Sequence, residues 1–250
     1  MTEPTVLITG AAKRLGAATA SAFVQRGCNV ALHYNCSDKH AKQLADSLNR
    51  IRQDCCYPIQ ADLSDSNALS PLIDQCVEKF GRLDHLVNNA AIFYPTAIDQ
   101  SSAQQLSHFL TLNYHVPERL ARLAYPWIKK RRGSIINLID IYAAAGLAEH
   151  SSYVASKAAL AEATRQMAVQ YAPEVRVNGV SPGAILWPDE PCQTSKTELD
   201  KNQLDILAKS ALKRLGQPEH IAATLVFLSL EALYTTGNII RVDGGRRDFI

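Results

Sequence analysis

Short apolar runs and amphipathic stretches alternate along the whole chain. Runs of five or six residues, rich in Val, Ile and Leu, fall at Thr5–Thr9, Asn29–Tyr34, Cys56–Ala61, Asp84–Asn88, Ser134–Ile139, Val175–Val180 and Asn238–Val242. Such runs have little polar face, as expected of parallel strands covered on both sides. Helical stretches separate them. One is Ala-rich and ends near Arg26-Gly27, and another runs from about Lys39 to Ile51. A third is expected to start at Ser64-Asp65, with Asp62 as a candidate N-cap, and to end at Phe80 before Gly81, a C-cap signal. Two more run from about Ser102 through Asn113 to Lys130. One carries Tyr153 and ends near Tyr171, and the last covers Gln217 to Leu230. Strand and helix in regular alternation predict an α/β protein built on a parallel sheet.

A length of 250 residues with no repeat, linker or low-complexity stretch suits a single domain spanning 1–250. A formal charge of +2 gives no lean toward nucleic acid or a membrane surface. No apolar run approaches the ~20 residues needed to span a bilayer, and Met1-Thr2-Glu3-Pro4 leads straight into a strand without a signal peptide. Six cysteines (28, 36, 55, 56, 76 and 192) show neither Cys-x-x-Cys nor zinc-like spacing. They read as reduced thiols of a cytoplasmic protein, with no metal site.

Candidate chemistry sits in two places. The first strand runs into Gly10-Ala11-Ala12-Lys13-Arg14-Leu15-Gly16 and a helix, and a glycine turn at a helix N-terminus favours a pyrophosphate. No acid stands between His33 and Ser37 at the second strand's end, where NAD-specific folds hold the ribose hydroxyls. Asp38 comes later and can equally cap the next helix. Lys13, Arg14 and the Ser37 hydroxyl together suit a 2′-phosphate, so the cofactor is expected to be NADPH (NADP+). The second place is Asp140 to Lys157. Tyr153 and Lys157 stand one helical turn apart, and an ammonium there is expected to lower the phenol's pKa and favour the phenolate. Asp140 follows a strand, where it is either a solvated loop residue or a charged group in the ligand crevice. The aromatic loop Ile92-Phe93-Tyr94-Pro95-Thr96 is either surface packing or a flat wall for a ring. Trp187 to Asn202 reads as a substrate lid, placed within 184–215.

With these motifs the chain resembles the short-chain dehydrogenase/reductase superfamily over essentially its whole length. The glycine loop, Asn88-Asn89-Ala90, Tyr153-x-x-x-Lys157 and Ser181-Pro182-Gly183 agree with that pattern in order and spacing. The resemblance implies a Rossmann-type doubly wound, mostly parallel seven-stranded sheet of order 3-2-1-4-5-6-7, with helices on both faces. It implies catalytic roles for Tyr153, Lys157 and Asn113. The cofactor set it implies is Gly10, Lys13, Arg14, Leu15, His33, Tyr34, Asn35, Ser37, Asp62, Leu63, Asn89, Ala90, Ala91, Tyr153, Lys157, Pro182 and Gly183. Asp62 is then the residue that contacts adenine. A homotetramer is implied too, in which Arg246 or Arg247 of the tail is a candidate to reach a neighbour's active site.

Four features point further, toward the pteridine reductases: Arg14 in place of a glycine, the His33-Tyr34 strand end, Phe93-Tyr94-Pro95-Thr96, and Asp140 where a serine is usual. That branch implies a pterin substrate held by Arg14, Phe93, Asp140, Tyr153 and Trp187. Hydride would pass to a ring carbon, with protons delivered through Tyr153, Lys157 and Asp140. Cys36 and Ala91 depart from the branch, at a phosphate-binding arginine and at a hydroxyl near the ligand. Two alternatives stand beside this reading: a 3-oxoacyl thioester or other ketone reductase, and a non-catalytic NADP-binding regulator.

Overall fold

The computed structural model describes residues 3–99, 101–185 and 201–249. Seven parallel strands form one sheet: β1 (Thr5–Ile8), β2 (Asn29–Tyr34), β3 (Cys56–Gln60), β4 (His85–Asn88), β5 (Ser134–Leu138), β6 (Arg176–Pro182) and β7 (Ile239–Val242). Their order is β3-β2-β1-β4-β5-β6-β7, as expected from the sequence. The register is fixed by pairs such as Leu7 with Ala31 and Leu86, and Val87 with Ile136.

Successive strand residues point to opposite faces, and both faces are apolar. Val6, Ile8, Val30, Leu32, Val87 and Ile136 face one way, packing with Phe23 of α1 (Arg14–Gln25), α2 (Asp38–Ile51) and Leu225 of a later helix. Leu7, Ala31, Leu86 and Ile135 face the other way, against α3 (Leu69–Phe80), α5 (Val116–Ile128) and α6 (Ser151–Tyr171). Each fully buried Leu, Ile or Phe contributes roughly 2–3 kcal/mol. The remaining helices are α4 (Ala103–Leu110), α7 (Lys201–Ala208) and α8 (Pro218–Val226), which supplies Leu225. The fold is therefore a three-layer sandwich whose strands all end on one edge.

Three local features differ from the sequence expectation. The helix expected at Ser64 begins only at Leu69. Asp62 accepts from the Ser64 N–H at 2.9 Å, and Asp65 from that of Asn67 at 2.9 Å, so side-chain turns compete with the helix there. A π turn (Thr111–His115) interrupts the two helices around Asn113, and a second (Phe227–Glu231) ends α8 early. Residues 186–200 of the expected lid, Trp187 included, lie outside the described residues; its described part carries α7. Among the described residues, five cysteines are free. Burial pushes Cys28 up to about 11 and Cys56 and Cys76 up to about 12, so these three are inert thiols at neutral pH.

Candidate active site

The glycine turn lies at the C-terminal end of β1. Gly10 has φ +62°, and a Cβ there would sit 3.1 Å from Ala90 Cα. A Cβ on Gly16 would strike the Gly10 carbonyl oxygen. Arg14 opens α1 with φ 50°, a left-handed conformation that explains why glycine is usual at its position. Lys13 and Arg14 are both exposed. Leu15 packs on the core, and its carbonyl accepts from the Thr19 hydroxyl.

Beside this turn lies a cleft of about 330 Å³, lined by Gly10, His33, Asn35, Asp62, Leu63, Ala90 and Ala91, among others. Seven expected cofactor positions thus meet in one place. His33 is buried beneath them. Its Nδ1 accepts from the Gly10 N–H at 3.0 Å, and its Nε2 faces the Ala61 carbonyl at 3.1 Å, which assigns the proton to Nε2. Burial holds its pKa down at about 4, so the ring is a neutral strut between the loop and the end of β3. Asn89 has a similar task, donating from Nδ2 to the carbonyls of Thr9 (2.8 Å) and Gly10 (3.0 Å).

Other expected residues are committed elsewhere. The Tyr34 hydroxyl donates to Asp38 at 2.8 Å, and Asp38 pairs with Lys42 at 3.0 Å. Asp38 is therefore occupied, and β2 ends with no acid turned to the cleft. Ser37 precedes α2 without a side-chain cap bond. Pro182 ends β6, and Gly183 passes so close to Asp243 that a Cβ would lie 2.6 Å from its Cα.

The candidate reacting groups converge at the end of β5. Asp140 follows that strand and starts a 3-10 turn (Ile141–Ala144), where its Oδ1 accepts from the Tyr142 N–H at 2.9 Å. Its Oδ2 accepts from the Tyr153 hydroxyl at 2.7 Å. It is thus no solvated loop aspartate. Burial raises its pKa, opposed by Tyr142, Tyr153, Lys157 and Arg246. Lys157 is 3% exposed, donates to the Leu138 carbonyl at 2.7 Å, and is lowered by burial to about 8.

These contacts overturn the expected phenolate. Burial, with Asp140 close by, raises the Tyr153 pKa well above its usual value, and Lys157 Nζ stands 6.0 Å from the ring centroid. The nearest charge to the phenol is a carboxylate, so Tyr153 keeps its proton.

Asn113 is fully buried in its π turn. Its Oδ1 accepts from Ile92 N at 2.9 Å, and its Nδ2 donates to Ile92 O at 3.1 Å and Ser156 Oγ at 3.0 Å. Its side chain therefore fastens the loop after β4 to α6. Phe93, on that loop, is 58% exposed. Its ring stacks on His150 (centroids 4.5 Å apart, 12° between planes) and meets Tyr153 edge-on at 4.7 Å.

His150 and Tyr142 escaped the sequence reading, and Arg246 is named there only as a tail residue that could reach a neighbour's site; here its guanidinium donates to the Tyr142 hydroxyl of its own chain. His150 carried a usable signal, since it lies three positions before Tyr153, at the N-cap of α6. Asp140 also borders a larger cavity of about 610 Å³, lined by Glu162, Arg165, Ile239, Arg241 and Arg247 among others, and by no residue of the glycine loop. Among the described residues no cluster of His, Cys, Asp or Glu could hold a metal, and no helix is long and apolar enough to cross a membrane.

Residues 10–247 match the family described as enoyl-(acyl carrier protein) reductase. A crystal structure described as a short-chain dehydrogenase/reductase, glucose/ribitol dehydrogenase, from Brucella melitensis superposes with a TM-score of 0.85 at 29% identity, covering 98% of this chain and 99% of that one. The chain belongs to the short-chain dehydrogenase/reductase superfamily. It is an enzyme of that oxidoreductase family, whose members use NAD(P)H.

Relatives within the superfamily carry several activities. Pteridine reductase 1 of Leishmania tarentolae is 32% identical over 98% of this chain and 96% of its own length. L-fucose dehydrogenase of Mus musculus is 34% identical (96% and 87%). The 3-oxoacyl-[acyl-carrier-protein] reductase of Thermotoga maritima is 31% identical (96% of each). The glycine turn, the helix N-terminus and the cleft beside them fit a dinucleotide.

Proposed function

We propose that this short-chain reductase is an NADPH-dependent pterin reductase that converts a dihydropterin to a tetrahydropterin. The observation that carries the reading is the 2.7 Å bond from the Tyr153 hydroxyl to Asp140. Bound at the glycine turn and the cleft, the nicotinamide cofactor supplies hydride. Tyr153, held protonated beside Asp140, donates a proton to a ring nitrogen. Asp140 accepts from the amino and ring N–H groups that a pterin offers, and its raised pKa suits it to take up and pass on a proton. Lys157 and Asn113 hold the framework, and Phe93 gives a flat apolar wall beside Tyr153. Arg14 serves cofactor phosphate and substrate. The choice of NADPH is supported by the missing acid at the β2 end and by exposed Lys13 and Arg14. We extend the reading to a cytoplasmic homotetramer, testable by light scattering.

A ketone reductase is the second reading, favoured by the oxoacyl reductase relative. Asp140 weighs against it, because a carboxylate beside the proton donor repels a developing alkoxide. The deciding experiment follows cofactor oxidation with a dihydropterin and with an acetoacetyl thioester, using NADPH and NADH in parallel. Turnover of the pterin with NADPH supports the proposal. Turnover of the thioester alone defeats it, and cofactor binding without turnover of either revives the non-catalytic regulator.

A further inference from the structure

The C-terminal turn reaches back to the reacting groups of its own chain. Asp243 follows β7 and organises that turn. Its Oδ1 accepts from Gly245 N at 3.0 Å, its Oδ2 from Arg247 N at 2.8 Å, and its carbonyl from Arg246 N at 3.1 Å. Gly244 and Gly245 both have positive φ, and a Cβ on either would come within 2.8 Å of a neighbouring side chain. The chain thus turns in a space that only glycines permit, and the turn delivers two arginines to one short segment.

Arg246 is 7% exposed, rare for an arginine. Its Nη2 donates to the Tyr142 hydroxyl at 2.7 Å, and its guanidinium carbon lies 5.7 Å from the Tyr142 ring centroid. Its Nε is buried without a partner. Arg247 donates to the Ala144 carbonyl at 2.7 Å, at the far end of the same 3-10 turn. The Tyr142 N–H holds Asp140 Oδ1, and Asp140 Oδ2 holds Tyr153. Three consecutive links therefore join Arg246 to the proton donor.

We propose that Arg246 is a positioning residue for the Asp140–Tyr153 pair, acting through Tyr142 and through its own charge to keep Asp140 oriented and ionised. The inference rests on the reading of that pair as the proton-handling groups. A surface tail arginine needs no buried site, and desolvating one is costly. The charged and titratable groups facing Asp140 are few. Tyr142 lies on the turn, Tyr153 and Lys157 on α6, and Arg246 on the tail. In the adjoining cavity Glu162 pairs with Arg165 at 3.0 Å and Arg241 with Asp248 at 2.7 Å, while Arg247 is fastened to Ala144. Lys157, lowered to about 8, surrenders its charge in mildly alkaline solution. The Arg246 guanidinium is the other cation acting on Asp140.

The test uses the full-length protein and the variants Arg246→Met, Arg246→Lys and Tyr142→Phe. The midpoint of Asp140 is read by carboxyl carbon NMR, assigned through Asp140→Asn, and the acid limb of kcat/KM is read alongside. Arg246→Met is expected to move the Asp140 midpoint to higher pH and to lower kcat about tenfold, a fraction of the roughly 10²–10⁴-fold that general acid–base catalysis contributes, with KM little changed. Arg246→Lys should restore most of the midpoint, and Tyr142→Phe should lower kcat while leaving the charge in place. If Arg246→Met unfolds, the other two variants carry the test. A lowered melting temperature with the Asp140 midpoint and pH profile unchanged would make Arg246 a mere tail anchor and overturn the proposal. The NMR midpoint needs no substrate. A wild type inactive on pterins but showing the Arg246-dependent midpoint would sink the pterin reading and leave this one standing.

Discussion

Lys157 should cost the fold stability that the proposed chemistry requires. Its ammonium is 3% exposed and its pKa falls from 10.5 to about 8, with burial as the main cause and Asp140 opposing it. At 1.36 kcal/mol per pKa unit this is a penalty of about 3 kcal/mol on the charged form. The sign follows from linkage. Between pH 8 and 10.5 the unfolded lysine binds a proton and the folded one does not, so stability rises with pH across that window. The penalty is therefore nearly complete at pH 7. Lys157→Met removes it, and it also leaves the Leu138 carbonyl without its 2.7 Å donor, a loss of about 1–2 kcal/mol. The variant should be more stable than wild type at pH 7 by about 1–2 kcal/mol, and inactive. The sharper signature is the pH dependence. By pH 9.5 the wild type recovers about 2 kcal/mol of the penalty, so the gap closes or reverses. Urea titrations at both pH values, read by circular dichroism, measure it. A difference between the two proteins that is independent of pH would refute the reasoning.

Other outcomes follow from the same geometry. Tyr153→Phe removes the proposed proton donor while leaving the cleft intact. Turnover should fall at least a hundredfold, on the scale of lost general-acid catalysis, with NADPH affinity by calorimetry unchanged. Arg14→Gly relieves a left-handed non-glycine residue and should add about 1 kcal/mol of stability. The same change should weaken NADPH binding, which titration calorimetry will show. His33 is buried and its pKa is lowered to about 4. Its share of stability is present above pH 6.5 and is lost as pH falls toward 4, by about 3 kcal/mol. His33→Gln should flatten that acid slope in denaturation curves.

Strand positions were legible because the central runs are apolar on both faces and the sheet covers both, as Leu7 and Ile8 show by entering opposite cores, whereas the edge strands β3 and β7 are partly exposed. Tyr153, Lys157 and Asp140 were legible as neighbours, because a strand end and a helical turn fix their proximity. Their electrostatics were not. The sequence places Lys157 one turn from Tyr153, but only the fold shows that its ammonium turns to Leu138 and that Asp140 accepts the phenol's hydrogen bond. The late start of α3 reflects two aspartate turns that compete locally with a helix. Arg246 was legible only as a tail residue, and its place beside its own chain's site was invisible for a different reason. Its contact with Tyr142 joins residues 104 positions apart, and no periodicity reports such a meeting.

Asp140 is proposed to commit this site to a pterin. The most direct measurement is kcat/KM of Asp140→Ser against wild type, with NADPH, on a dihydropterin and on an acetoacetyl thioester. A loss of at least about tenfold on the pterin is expected, with thioester turnover unchanged or improved as the carboxylate beside the donor disappears. Equal pterin turnover by the two proteins would contradict it and leave Asp140 as a structural cap of its turn.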